Sequence, residues 1–152
     1  MNNIEQDQRM PVLFVGHGNP MNAIEETPFV ADWRETAAKL PQPRAILCVS
    51  AHWETEGTFV TAMSNPRTIH DFYGFPDELY RVTYPAPGMP ELAETVSDLV
   101  HTTSVRPDST FSWGLDHGAW AVLRCQHRSK IDPFSVFMLT HSKLRWVKVR
   151  SS

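Results

Sequence analysis

Apolar and polar positions alternate along this chain in a way that predicts strands and helices taking turns. Two short apolar runs, Pro11-Val12-Leu13-Phe14-Val15 and Ala45-Ile46-Leu47-Cys48-Val49, have the length and Val/Ile/Phe content of buried strands. Between them the spacing predicts a helix over 28–40, with Thr27 as N-cap, Pro28 at the first helical position, and Phe29, Trp33 and Ala37 along one face. Pro41 and Pro43 end it. A strand–helix–strand unit of that size should be parallel and right-handed. Gly57 to Met63 reads as a further strand, 64–88 as a long loop with a short strand at 80–84, and Pro90 to Val100 as a helix buried along Leu92, Val96, Leu99 and Val100. A short strand at 103–106 and a helix opened by the segment 111–120 and running through Leu123 follow. Pro133 to Leu139 reads as one more strand. The expected fold class is α/β, a mostly parallel sheet flanked by helices.

Both apolar runs are followed at once by a histidine: Gly16-His17-Gly18-Asn19-Pro20 after the first, Ser50-Ala51-His52-Trp53 after the second. Ligands of open α/β sheets bind beyond the carboxyl ends of the strands. The unit therefore predicts His17 and His52 side by side at one sheet rim, as part of a metal site. Gly16 and Gly18 would let backbone and imidazole come close to an ion. Two histidines do not complete a site, since zinc takes three or four protein ligands and non-haem Fe(II) two His and a carboxylate. No third strand-end ligand stands out before Arg124.

The other histidines differ in setting. His70 has Asp71 beside it, a carboxylate able to orient it, within a loop rich in rings (Phe72, Tyr73, Phe75, Tyr80, Tyr84). Those rings suit either the wall of a pocket for a planar substrate or the core beneath the loop. His117, in Asp116-His117-Gly118 at a helix start, suits acid–base or oxygen-binding work; the competing reading is a capping cluster with a solvated imidazole. His101 ends a helix and fits the helix dipole. His127 and His141 lie in the tail and receive no role.

Composition narrows the class. At 152 residues the chain suits one domain, and 41% hydrophobic with 20% charged residues is the balance of an ordinary globular protein. No apolar run reaches the ~20 residues of a membrane span, and the polar residues 1–9 read as a disordered leader rather than a signal peptide. Cys48 and Cys125 do not suggest a disulfide framework, which makes a reduced cytoplasm the expected location. A net charge of −3 argues against a nucleic-acid partner. Its distribution is uneven: 1–123 holds 16 acids and 7 bases, 124–152 only Asp132 against 7 bases. The break at Arg124 suggests a basic tail or a foreign reading frame.

Five motifs follow one another along the chain: Gly16-His17-Gly18, Ser50-Ala51-His52-Trp53, Thr68-Ile69-His70-Asp71-Phe72, Tyr84-Pro85-Ala86-Pro87-Gly88 and Gly114-Leu115-Asp116-His117-Gly118. In their kind and order the sequence resembles the 4,5-DOPA extradiol dioxygenase family, a branch of the class III (LigB-like) extradiol ring-cleavage enzymes. The resemblance implies a class III extradiol dioxygenase-like fold, partial over 10–123, with 124–152 a divergent basic tail. It implies metal ligands at His17 and His52, catalytic roles for His117 and His70, and one Fe(II) or Zn(II) per site. The substrates implied are a catechol and dioxygen, with no nucleic acid and no membrane. Later histidines of the family, one in a Gly-Asn-x-x-His-Asn type motif, have no counterpart here. The expectation is a C-terminally truncated form, frameshifted or stopped early, whose exposed sheet edge invites self-association. A metal-dependent hydrolase using Glu25, Glu54 or Asp116 as base, and an inactive metal-binding remnant, are the alternative readings.

Overall fold

Four strands and four α-helices carry the fold in the structure, a computed structural model that describes residues 10–110, 112–126 and 135–141. The strands are β1 (Ala45–Glu54), β2 (Thr58–Thr61), β3 (Val105–Asp108) and β4 (Ser135–His141). They form one sheet in the order β1-β4-β2-β3. β1 with β4 and β2 with β3 run parallel, and an antiparallel contact at Val60 and Leu139 joins the two pairs. The backbone N–H of Met138 reinforces that junction by donating to Thr61 Oγ1 (2.9 Å). The fold class is α/β with a mainly parallel sheet, as the alternation of elements predicts.

Helix α1 (Pro28–Ala38) begins where the residues dictate: Thr27 Oγ1 accepts from Val30 N (3.3 Å) and Pro28 occupies the first turn. Its buried residue is Val30, and Trp33 and Ala37 of the expected face are half-buried, while Phe29 is 68% exposed. Arg34 pins the helix by its fork to Glu26 (2.6 and 2.8 Å) and by Nε to the carbonyl of Cys125 at the end of α4 (3.1 Å). α3 (Pro90–Leu99) likewise turns Ala93 inward and leaves Leu99 exposed. The α4 helix (His117–Gln126) lies at the centre, with Trp120 fully buried among Leu79, Leu115 and Met138. A smaller core of Val60, Ala93 and Val105 sits between α3 and the β2–β3 pair.

Three expectations are corrected. Pro11–Val15 is not a strand: it makes no ladder among the described residues, and Val12 and Phe14 are 98% and 95% exposed. An apolar run specifies a preference for burial, but a strand needs a neighbour with free hydrogen-bonding groups in register. Second, 80–84 is not a strand; the single-turn helix α2 (Asp77–Tyr80) ends there, and Leu79 rather than the aromatic ring of Tyr80 is its buried anchor. Third, β1 does not stop at Val49 but runs on to Glu54, so His52 lies within the strand. Residues 1–9, Phe111, 127–134 (His127 and the start of the strand expected from Pro133 among them) and 142–152 lie outside the described residues.

Candidate metal centre

Each histidine of the site is delivered by a different local device. His17 sits before a tight corner in which Gly18 adopts φ +61°, a left-handed conformation open to glycine without strain. Asn19 then caps the 3₁₀ turn Pro20–Ala23, and the buried Asn22 steadies the corner by a long hydrogen bond to the carbonyl of His17 (3.5 Å) and by accepting from Thr27 Oγ1 (3.2 Å). His52 is aimed by an irregularity in the β1–β4 register between Ser50 and Glu54. There the Ser50 hydroxyl accepts from His52 N (3.2 Å) and donates to Asp116 (2.9 Å). Such irregularities re-aim side chains beside functional sites.

His117 is the first residue of α4. Asp116 caps that helix through Ala119 N (3.2 Å) and is wholly buried, accepting also from Trp113 Nε1 (3.1 Å). Burial pushes the Asp116 carboxyl above its ordinary range, against the pull of the Ser50 and Trp113 hydrogen bonds. The cap is therefore the expected one, but the imidazole it presents is buried at 5% exposure rather than solvated.

The three imidazoles converge. Nitrogen atoms of His17, His52 and His117, one from each, all lie within 4.8 Å of one another, an arrangement able to hold a metal ion. Ring centroids are 4.9 Å (His17–His52), 5.1 Å (His17–His117) and 4.2 Å (His52–His117) apart. Nε2 of His17 and Nε2 of His52 face each other at 3.0 Å. The side-by-side placement expected for His17 and His52 is thus reached without the first strand on which that expectation rested.

Two features were not legible from the motifs. The first is the direction of Asp71, which stands beside His70 in sequence and is able to orient it. It turns instead to the trio: Oδ1 accepts from His117 N (3.0 Å) and Nδ1 (2.8 Å), and Oδ2 lies 3.3 Å from His52 Nδ1. A parallel bridge between Thr68 and Leu115, with Ile69 N to Leu115 O (2.7 Å), Leu115 N to Arg67 O (2.8 Å) and Trp120 Nε1 to Ile69 O (2.8 Å), lays the Asp71 loop along the entry to α4. The second is Gly118. A Cβ there would stand 2.8 Å from His52 Cδ2, so the helix start and the imidazole can touch only because the residue is glycine. By contrast nothing lies within 4 Å of a Cβ at Gly16.

His70 is outside the trio. Its Nε2 contacts the carbonyl of Val82 (2.9 Å), which makes that nitrogen the protonated one. Phe72 touches both regions, edge-on to His70 (5.8 Å) and to His117 (5.4 Å). Of the loop rings, Tyr84 is buried in the core, Phe72 and Phe75 pack against it, and Tyr73 is 91% exposed. The loop is chiefly core filling, with Phe72 at the site. Among the hydrolase bases, Glu25 and Glu54 are exposed and Asp116 is occupied as a cap.

Electrostatics favour neutral imidazole. Burial, and then the neighbouring His117 and His52, hold His17 below its ordinary pKa of 6.5. The Gly18 backbone pulls the other way, although among the described residues no group stands in hydrogen-bond geometry to the buried His17 Nδ1. Burial alone would raise Asp71; its hydrogen bonds from His117 outweigh that and leave it below the usual carboxylate value.

Comparison with known proteins decides the kinship. The model of the catalytic LigB subunit of aromatic ring-opening dioxygenase matches residues 11–145. The chain belongs to the LigB family. It is 51% identical over 120 residues to the 4,5-DOPA dioxygenase extradiol of Escherichia coli (strain K12), covering 79% of this chain and 44% of that protein. The likeness to the 4,5-DOPA dioxygenase extradiol of Beta vulgaris is 42% over 123 residues, 78% of this chain and 46% of the relative. A crystal structure of an uncharacterised Escherichia coli K12 protein superposes with a TM-score of 0.65 at 40% identity, covering 86% of this chain and 47% of that one. The chain spans less than half the length of these LigB relatives. Among the described residues no helix is long and apolar enough to cross a membrane.

Proposed function

We propose that this chain carries the metal-binding part of an extradiol ring-cleavage site, for a catechol of the DOPA type and dioxygen. The observation that carries the reading is the convergence of His17, His52 and His117 on one space. The donor set fits a divalent cation: three imidazoles, at least one of them held neutral by burial and by the other two, the form that ligates. In this reading His117 joins His17 and His52 as third donor, in place of the acid–base role expected from its position. His70 stays outside the donor set.

One ion per site, Fe(II) or Zn(II), is the cofactor proposed; bound Fe(II) would supply the electron exchange between catechol and dioxygen that Zn(II), having no redox chemistry, would not. The chain's own residues hold the imidazoles in place and line one side of the space with the apolar edge of Phe72. Dioxygen gives both its atoms to the opened ring, and one carbon–carbon bond beside a hydroxyl breaks. A reducing cytoplasm is the proposed setting, supported by the reduced thiol of Cys48, which burial pushes up to about 12.

Dioxygen uptake tests the reading, using the chain reconstituted anaerobically with Fe(II), given L-DOPA and set beside His17→Ala and His117→Ala. The expected result is uptake in the parent and none in either variant, with Zn(II) binding lost in parallel. A folded, Fe(II)-loaded chain that consumes no dioxygen, or uptake undiminished by His17→Ala, would overturn it.

A further inference from the structure

Among the described residues Asp71 is the one carboxylate in contact with two members of the trio, and it meets both of them at Nδ1. Oδ1 takes both donors of His117, its backbone N–H and its Nδ1, while Oδ2 stands at ion-pair distance from His52 Nδ1. A carboxylate accepts and does not donate. A nitrogen hydrogen-bonded to it, as His117 Nδ1 is, must carry the proton, and at 3.3 Å the carboxylate's charge favours the proton on Nδ1 of His52 as well; a neutral imidazole then has its lone pair on the other nitrogen.

We infer that Asp71 is a positioning residue that sets the tautomer of two histidines at once, keeping the protons of His52 and His117 on Nδ1 and both Nε2 lone pairs free. Among the described residues His17 has no such partner: its Nδ1 is buried without a hydrogen bond, and its Nε2 faces Nε2 of His52 at 3.0 Å. In the metal-free protein the proton between those two nitrogens therefore belongs to His17, because His52 has placed its own on Nδ1. The arrangement is a carboxylate–histidine pair used twice, with one aspartate serving two rings. Why the tautomers matter for metal binding rests on the proposed function; the tautomers themselves do not.

The two halves of the carboxylate are not equivalent, which gives the inference a sharp consequence. In Asp71→Asn the backbone N–H of His117 still needs an acceptor, so the amide oxygen stays with His117. The amide NH₂ then faces His52 Nδ1, which can no longer donate. His52 should move its proton to Nε2 and give it to His17 Nε2, while His117 keeps Nδ1–H.

Long-range ¹H–¹⁵N correlation spectra of ¹⁵N-histidine-labelled, metal-free protein read the tautomer of each ring directly, without activity. The expected result is Nδ1–H at His52 and His117 in the parent, and a change to Nε2–H at His52 alone in Asp71→Asn. Zn(II) titration of the same samples should show affinity falling by about 10- to 100-fold in Asp71→Asn. Nε2–H at His52 or His117 in the parent, measured with no variant at all, would overturn the inference. So would an Asp71→Asn protein with unchanged tautomers and unchanged Zn(II) affinity, which would leave the metal reading standing. The expected tautomers in a parent that binds no Zn(II) or Fe(II) would do the reverse, supporting the role of Asp71 and removing the metal reading.

Discussion

The three-histidine centre and an outer face made of the exposed apolar side chains of the 11–15 segment and of β1 are held to very different standards. At the centre nearly every polar atom has a named partner: Asp71 joins two rings, Asp116 joins Ser50, Trp113 and a helix start, and Asn22 fixes the His17 corner. At Val12, Phe14, Leu47 and Val49 large apolar groups stand between 44% and 98% exposed. Directional groups can be satisfied only by one arrangement, and an unsatisfied buried one costs about 1–3 kcal/mol. Apolar groups ask only for area, at about 25 cal/mol per Å², and any cover of the right shape supplies it. The lesson is that the centre is over-determined by its own residues, while the outer face is not.

The largest effect expected is at the centre. His17→Ala should lower Zn(II) affinity by roughly 100-fold or more, beyond the range for supporting groups, as read by competition with a chromophoric chelator. Retained affinity would mean that the centre does not need all three rings and would erase much of its contrast with the outer face.

Gly118→Ala comes next, since the added Cβ would press on His52 at 2.8 Å. A cost of about 1–3 kcal/mol in urea unfolding is expected for such overpacking, together with weaker Zn(II) binding. Gly16→Ala, with open space around it, should leave binding unchanged. Equal effects at the two glycines would show that the helix contact does not matter.

The pH dependence is smaller and has a definite sign. His17 is held below 6.5 in the folded protein, so between its folded value and 6.5 the unfolded chain binds more protons. Stability should rise with pH there, be fully gained above 6.5, and fall as the pH is lowered through that window. Urea midpoints from pH 7.5 down to 5 check this, and His17→Gln should flatten the slope. Asp71, held below its ordinary value of 3.8, adds a loss at still lower pH, once it too is protonated.

The smallest effects belong to the outer face. Val12→Ser and Phe14→Ser should change stability by no more than about 0.5 kcal/mol, as for other exposed sites. If these side chains self-associate, the same variants should lower the sedimentation coefficient at high protein concentration. A large loss of stability would mean that this segment is packed in solution.

Part of the fold and part of the centre could be read from local pattern. Thr27-Pro28 fixes a helix start because a hydroxyl and a missing N–H both suit the first turn, and the structure begins α1 there. The histidines after the two apolar runs, and His117 at a helix start, were visible as candidates from neighbours alone. What pattern could not supply was pairing. Pro11–Val15 and Ala45–Val49 are alike in composition, yet only the second found a ladder, against β4. Asp71 is next to His70 in sequence, but its oxygens face His52 and His117, because adjacent loop residues point in different directions.

The sequence by itself determined the alternation of strand and helix, the caps and breakers, and the residue types able to bind a metal, since all of these depend on interactions within a few residues. Only the tertiary structure decided that His117 stands with His17 and His52, that one aspartate serves two of them, and that Gly118 is where a helix and an imidazole meet. Those contacts join positions 19 to 100 residues apart. Their geometry is set by how the sheet, the Asp71 loop and α4 pack together, and no local preference encodes it.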